Sequence, residues 1–571
     1  MKEKRRKVLV TVLGMAMVLS LLQGCGDTQT SPQKETGEQT SDPVQEESAA
    51  EPEESVETQE ESAKEQDASA APAPALPLAE PVTIDVMALA DASVSVDYGN
   101  MAFWKMVEEE TGVKVNWTVA KGDEFTQKKN LMFASGEYPD VIFGGGISTK
   151  EEESYGVEQQ ILIPLDEYVN EAWMPNYYGL LESRPNFQKQ MVATDGHIYS
   201  ISRAWEIGYN SGGHFFINKQ WLDNLGLEVP KTVEELMEVL RAFKENDPNG
   251  NGQADEIPLE LVLKDDASCA VTNLFGLFGQ LDVPGHLVLD KDQVVFSAAQ
   301  DGYRTGLEWI HEAYADGLID AESFSQDMST YYAKIKGGNV GCFIGWRLEA
   351  MAFSFEGMED QFVCMDPPRA EGADPLWYKT EAAAMIGGAA ITTANEHVEE
   401  TIAWLDYLMN PDIAFQARQG ILGVYQEMSD DGKFVVKTSE DGSQFYTNEE
   451  INADCPGPGG LFFLTSDVIK EKYTFSSFHL EKYPYCEQYE PYLCEQSPDL
   501  ISRGRLSQED RDTSSRLKTD IDKFVDENTI RFISEGVTDS TWDNYLETLQ
   551  SIGLEEYVSL SQKSYDAFNK N

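Results

Sequence analysis

Positive charge is what this chain has least of for its size. Its 571 residues carry 43 Lys and Arg against 100 Asp and Glu, a formal net charge of −57. Such a chain repels phosphate backbones and anionic lipid surfaces, which excludes nucleic acid as a partner. Histidine is scarce: His197, His214, His286, His311, His397 and His479 are scattered, and no His-Glu-x-x-His occurs. Seven cysteines in this length build no disulfide scaffold, and none has zinc-ligand spacing. Cys486 and Cys494 are left as either a small disulfide or two free thiols. There is no Gly-x-x-x-x-Gly-Lys-Ser/Thr and no Gly-x-Ser-x-Gly, and Gly144-Gly145-Gly146 lacks the dinucleotide fingerprint. A carboxylate pair for glycoside cleavage stays open, because such pairing is spatial.

What is present fills real cores: 41% hydrophobic and 11% aromatic residues, in a length that suggests two or three units. Lys2, Lys4, Arg5, Arg6 and Lys7 make a basic start, and Val8 to Leu22 follows without a charge. That stretch is shorter than the roughly 20 residues of a spanning helix and reads as an export signal over 1–24. Leu22-Gln23-Gly24-Cys25 resembles the lipobox of bacterial lipoproteins. The resemblance implies lipidation at Cys25 and a chain anchored on the extracellular face of the bacterial cytoplasmic membrane. Residues 25–80 are Glu, Ser, Thr, Gln, Pro and Ala, ending in Ala71-Pro72-Ala73-Pro74-Ala75. This composition predicts a disordered acidic stalk, stiffer at its Pro-rich end.

From 81 to 571 the pattern is α/β. Val82–Val86 and Val113–Trp117 alternate like strands, Phe103–Glu110 and Phe125–Ala134 read as helices, and Tyr138–Phe143 as a buried strand. This predicts a largely parallel sheet covered on both faces, with ligands at the carboxyl ends of its strands. Lys433–Val436 and Gln444–Tyr446 read as a hairpin turning at Asp441-Gly442.

Several stretches carry a family resemblance through their order and spacing. They are Ser135–Val141, Asp195–Tyr199, Phe216–Leu222, Lys336–Gly341 with Gly345-Trp346, and Gly387–Ile391. They resemble the family 1 extracellular solute-binding proteins of ABC importers, in the long lipoprotein branch with alginate-binding and rhamnogalacturonan-linked members. The resemblance implies a two-lobe periplasmic-binding-protein-like fold with discontinuous lobes, joined by hinge strands and closing around a central cleft. Lobe 1 is placed at about 81–205 and 387–460, lobe 2 at about 206–386 plus the C-terminal helical segment. It further implies a monomer that captures a solute, an oligosaccharide first, and delivers it to ABC permease membrane subunits without covalent chemistry. A polysaccharide hydrolase or lyase, and a peptide or other small-solute binder, are the alternatives.

Thr232-Val233-Glu234-Glu235 is a capping box for a helix with Val233, Leu236, Leu240 and Phe243 on one face. After it, Asp247, Asn249, Asn251 and Asp255 take positions 1, 3, 5 and 9 of a calcium loop, Gly252 takes position 6, and Gln253 offers its carbonyl at 7. Pro258 stands where the bidentate Glu belongs. Resemblance to alginate-binding relatives assigns that role to Glu256, with Ca2+ as a structural cofactor.

A sugar ring has an apolar face and a hydroxyl rim, so its pocket combines flat aromatics with polar groups. Trp346 follows an apolar strand, at a position similar to the ring-stacking Trp of maltose-binding relatives. Trp205 and Tyr209 fall in the first expected crossing between lobes, and Trp377 and Tyr378 precede the second. Asp140 is expected to end a strand at the cleft edge. Arg347, Arg203 and Glu206 are the polar companions.

Overall fold

Period-two alternation makes strands of Val82–Leu89 and Val113–Ala120, and between them Phe103, Trp104 and Val107 bury one face of the helix Ala102–Thr111. That helix stops at Gly112, whose φ of 75° is left-handed backbone, and the Gly112 N–H bonds to the Glu108 carbonyl. The computed structural model describes residues 73–570 apart from 93, 207–210, 264–268, 346–347, 349–360, 438–445, 447 and 475–482.

The strands in chain order are β1 Val82–Leu89, β2 Val113–Ala120, β3 Val141–Phe143, β4 Ile201–Trp205, β5 His214–Asn218, β6 Ile257–Glu260, β7 Leu287–Asp290 and β8 Gln293–Phe296. They continue as β9 Val340–Gly345, β10 Phe362–Met365, β11 Met385–Ile391, β12 Gln426–Met428, β13 Phe434–Val436, β14 Phe463–Leu464 and β15 Tyr473–Thr474. A six-stranded sheet in the order β14-β4-β11-β3-β1-β2 centres one lobe, and a four-stranded sheet β10-β5-β9-β6 the other. The chain passes from the first sheet to the second after Trp205 and back after Met365, and the helices from Gln508 onward pack on the second core. The fold is therefore two-lobed, of the periplasmic-binding-protein kind, and both lobes are discontinuous.

Strand direction locates the cleft. In the first sheet β1 is parallel to β2 and β3, β11 is antiparallel to β3 and β4, and β14 is parallel to β4. The carboxyl ends of β1, β3, β4 and β14 thus share one edge with the amino end of β11. The sheet is largely parallel, as expected, with β11 alone running against the other five strands because it carries the chain back from the other lobe. In the second sheet β5 is antiparallel to β9 and β10 and β6 is parallel to β9. The start of β5 therefore meets the ends of β6, β9 and β10.

Each lobe has its own core. Trp104, Trp117, Phe143 and Trp404 cluster on the first sheet, with Trp104 and Trp117 4.6 Å apart. The second core includes Phe215, Ile217, Phe275 and Tyr303, covered by the helices Gln508–Glu535, Asp539–Ile552 and Leu554–Lys570. One expectation needs correction here: β13 pairs antiparallel with the upstream β12, and parallel with β15. Its sheet is completed by segments on either side, and the expected turn at 441–442 lies outside the described residues.

Candidate functional site

On β4, residues two apart share a face, so Arg203 and Trp205 project together at the cleft edge. Phe462, just before β14, meets Trp205 edge-on at 6.0 Å. The Arg203 guanidinium lies 5.6 Å from the Phe462 ring, and Arg418, near the end of the helix Pro411–Gln419, lies 5.1 Å from Trp205. The result is a cation–ring–ring–cation row built from three distant segments. Gly145, at φ 88°, makes room for it, since a Cβ there would run into the Arg203 guanidinium.

Arg203 Nη1 donates to the carbonyls of Pro458 (2.8 Å) and Gly460 (3.3 Å), while Nε is buried without a partner. Burial pushes its pKa down to about 10, with Tyr98 opposing the shift. Burial also lowers the Arg418 pKa, with Asp91 opposing the shift. Glu206 is committed elsewhere: it accepts Arg184 at 2.5 Å and the Ser466 N–H at 3.0 Å.

At the facing edge of lobe 2, His214 is buried, with Nε2 2.8 Å from Ser211 Oγ and its ring edge-on to Tyr489 at 4.8 Å. Gly345 ends β9. Trp346 and Arg347, which follow it, lie outside the described residues, as do Tyr209 and Cys25.

Two sequence expectations are corrected. Trp377 is 1% exposed; its indole N–H donates to the Gly213 carbonyl at 2.6 Å and its ring packs on Tyr489 at 5.1 Å. It is core of lobe 2, because a buried indole with its N–H satisfied presents nothing to a ligand. Asp140 precedes β3 rather than ending a strand, at the amino end and away from the cleft edge. Its Oδ2 accepts the Asp85 N–H at 2.7 Å, and burial raises its pKa.

Tyr378 faces a different space. It lines a 780 Å³ cavity shared by both lobes, with Gln190, Arg503, Arg505 and Lys518, and its hydroxyl donates to Asp499 Oδ1 at 2.6 Å. Ala384 and Ile386 line this cavity too, whereas Met385 packs with Trp205 and Phe462. The alternation puts the cavity and the Arg203–Trp205 row on opposite faces of the β4–β11 ribbon. The row lies at the carboxyl end of β4, the strand-end side where ligands of such sheets bind.

The loop after the helix Val233–Glu245 is tightly wound. Asp247 Oδ1 and Oδ2 accept the N–H groups of Asn251 (3.0 Å) and Gly252 (2.8 Å), and Asn251 Oδ1 accepts that of Gln253 (2.7 Å). Asn251 Nδ2 donates to Asp255 Oδ1 at 3.0 Å, and Asn339 ties down the Asp255 carbonyl at 2.9 Å. Glu256 Oε1 is buried and unpartnered, and its pKa is raised by burial, then by Asp255 and Asp247. Among the described residues no group of three His, Cys, Asp or Glu side chains is arranged to hold a metal. Any cation here must draw on amide and carbonyl oxygens as well. Cys486 and Cys494 are free thiols.

With this geometry in view, residues 97–414 match the model of the bacterial extracellular solute-binding protein family. The chain belongs to that family. This solute-binding protein is 29% identical over 512 residues to the fructooligosaccharide ABC transporter substrate-binding protein FusA of Streptococcus pneumoniae serotype 4, covering 87% of this chain and 92% of FusA. The structure of FusA in complex with kestose matches with a TM-score of 0.69 at 27% identity, over 86% of this chain and 100% of that one. An EF-hand mutant of FusA in complex with fructo-nystose matches equally, at 27% identity and a TM-score of 0.69 over the same shares. A human-milk-oligosaccharide-binding solute-binding protein from Bifidobacterium longum infantis gives 0.71 at 25% identity, over 86% and 100%.

Arg418 and Phe462 escaped sequence reading. An arginine in the last turn of a helix reads as a complement to the helix dipole, and nothing local says that it crosses to Trp205.

Proposed function

We propose that this solute-binding protein captures an oligosaccharide between its lobes, on the face of the hinge ribbon that carries Trp205, and delivers it to ABC permease subunits. The observation that carries the reading is the half-buried Trp205 ring at the edge where strand ends meet, with Arg418 on it and Arg203 on the adjoining Phe462. An aromatic face takes the apolar side of a sugar ring, and fixed N–H donors take its hydroxyls. The fructooligosaccharide and milk-oligosaccharide ligands of the relatives support the same class. Capture is non-covalent: a ligand touching both lobes favours the closed form by its differential contacts. The export signal and the Leu22–Cys25 stretch support a lipid anchor at Cys25. No helix among the described residues is long and apolar enough to cross a membrane.

The Asp247–Glu256 loop fits Ca2+: the orphaned Glu256 Oε1, the carboxylates of Asp247 and Asp255 and the amide oxygens of Asn249 and Asn251 are hard donors in one turn. The Gln253 carbonyl completes the set, and the ion would fix the loop without acting on the ligand. Chelation is expected to lower the melting temperature of the protein, with calcium restoring it; an unchanged melt removes the assignment. The sugar reading is tested by calorimetric titration of the full chain with neutral and acidic oligosaccharides. Binding of one glycan class, weakened by Trp205→Ala, is the expected result. Binding of peptides alone, or turnover of the glycan, would sink it.

A further inference from the structure

We propose that Arg203 and Arg418 together read a negatively charged group on the ligand, so that the oligosaccharide captured here is an acidic one; this rests on the sugar reading of the cleft. The chain carries −57 overall, yet two guanidinium groups converge at this edge. Arg418 lies on Trp205 and forms no hydrogen bond or ion pair among the described residues; only Asp91 acts on it electrostatically. Arg203 gives Nη1 to two backbone carbonyls, which carry no net charge, and keeps Nε buried without an acceptor. The other acid beside them, Glu206, is already bound by Arg184.

Among the described residues, two cations therefore stand with Asp91 as the one carboxylate acting on Arg418, in a partly desolvated wall. A cation taken out of water without a counterion is unfavourable, and the lowered guanidinium pKa values express that cost. A carboxylate or sulfate on a sugar ring supplies the missing charge. The planar fork of a guanidinium matches such a group with two parallel N–H donors. Trp205, half-buried against Arg418, holds the sugar body while its anionic substituent reaches the guanidinium groups beside it.

The test is isothermal titration of the full chain with matched pairs of oligosaccharides of the same linkage. Suitable pairs are oligogalacturonate with its methyl ester, oligomannuronate with mannooligosaccharide, and sialyllactose with lactose. In at least one pair the acidic member is expected to bind ~10- to 100-fold more tightly, the range of one or two charge-assisted hydrogen bonds. Arg418→Met should erase most of that preference and Arg418→Lys should keep part of it, which separates charge from a folding defect. Neutral members binding as tightly as their acidic partners would overturn the inference and leave the sugar reading standing. An acidic preference that survives Arg418→Met would overturn it as well. Failure of every saccharide would overturn both.

Discussion

Trp205 and Trp377 stand at comparable places in the chain, each beside a crossing between lobes, and they do different work. Trp377 is enclosed by Tyr489 and Gly213, so Trp377→Ala should cost about 3–5 kcal/mol in chemical unfolding, as large buried rings do. Trp205→Ala should leave the unfolding midpoint nearly unchanged and weaken ligand binding at least tenfold by calorimetry. Glu260 on β6 gives a second prediction at this scale. It is fully buried, accepts from Gln326, and has its pKa pushed up to about 8 by burial. Between its ordinary value of 4.5 and about 8 the folded chain holds a proton that the unfolded chain releases. Stability therefore falls as pH rises through that window, at most about 1.4 kcal/mol per pH unit. Glu260→Gln should flatten this slope in urea unfolding measured across the window; an unchanged slope would place the titration elsewhere.

Among the elements, the segment Pro498–Leu506 ties the lobes together. Gly504 lies against Ser564 in the last helix, which fixes the segment to lobe 2. From there Arg503 donates to the carbonyls of Glu381 (2.7 Å) and Ala382 (3.0 Å), and Arg505 pairs with Glu152 at 2.6 Å and Glu153 at 3.2 Å. All three charged side chains of that cluster are at most 9% exposed. Removing one partner of a buried cluster strands the others, so Arg505→Met should cost about 3–5 kcal/mol. Adding Glu152→Gln and Glu153→Gln to that variant should recover much of the loss in the same unfolding assay.

The legibility of elements follows their reach. The Thr232–Glu235 capping box forms as its four residues dictate, with Glu235 N–H on Thr232 Oγ1 at 3.2 Å and Thr232 N–H on Glu235 Oε2 at 3.3 Å. The β12–β13–β15 sheet was not legible, because β12 and β13 are only three residues each and β15 joins β13 from beyond β14.

For the whole molecule, a chain that passes from one sheet to the other and back implies hinge closure on ligand binding. Solution scattering should show a smaller radius of gyration with a bound saccharide than without. A radius unchanged at saturation would mean that the lobes do not close.

The sequence by itself determined the alternation of strands and helices, the capped helix with its acidic loop, and the two-lobe family. Each of these rests on near neighbours or on motifs read in order, and period and capping act within a few residues. Tertiary structure alone decided that Trp377 is core, that Asp140 sits at the wrong end of its strand, and that Arg418 reaches Trp205. Those outcomes depend on strand direction and on side chains brought together from distant segments, and a one-dimensional pattern contains neither.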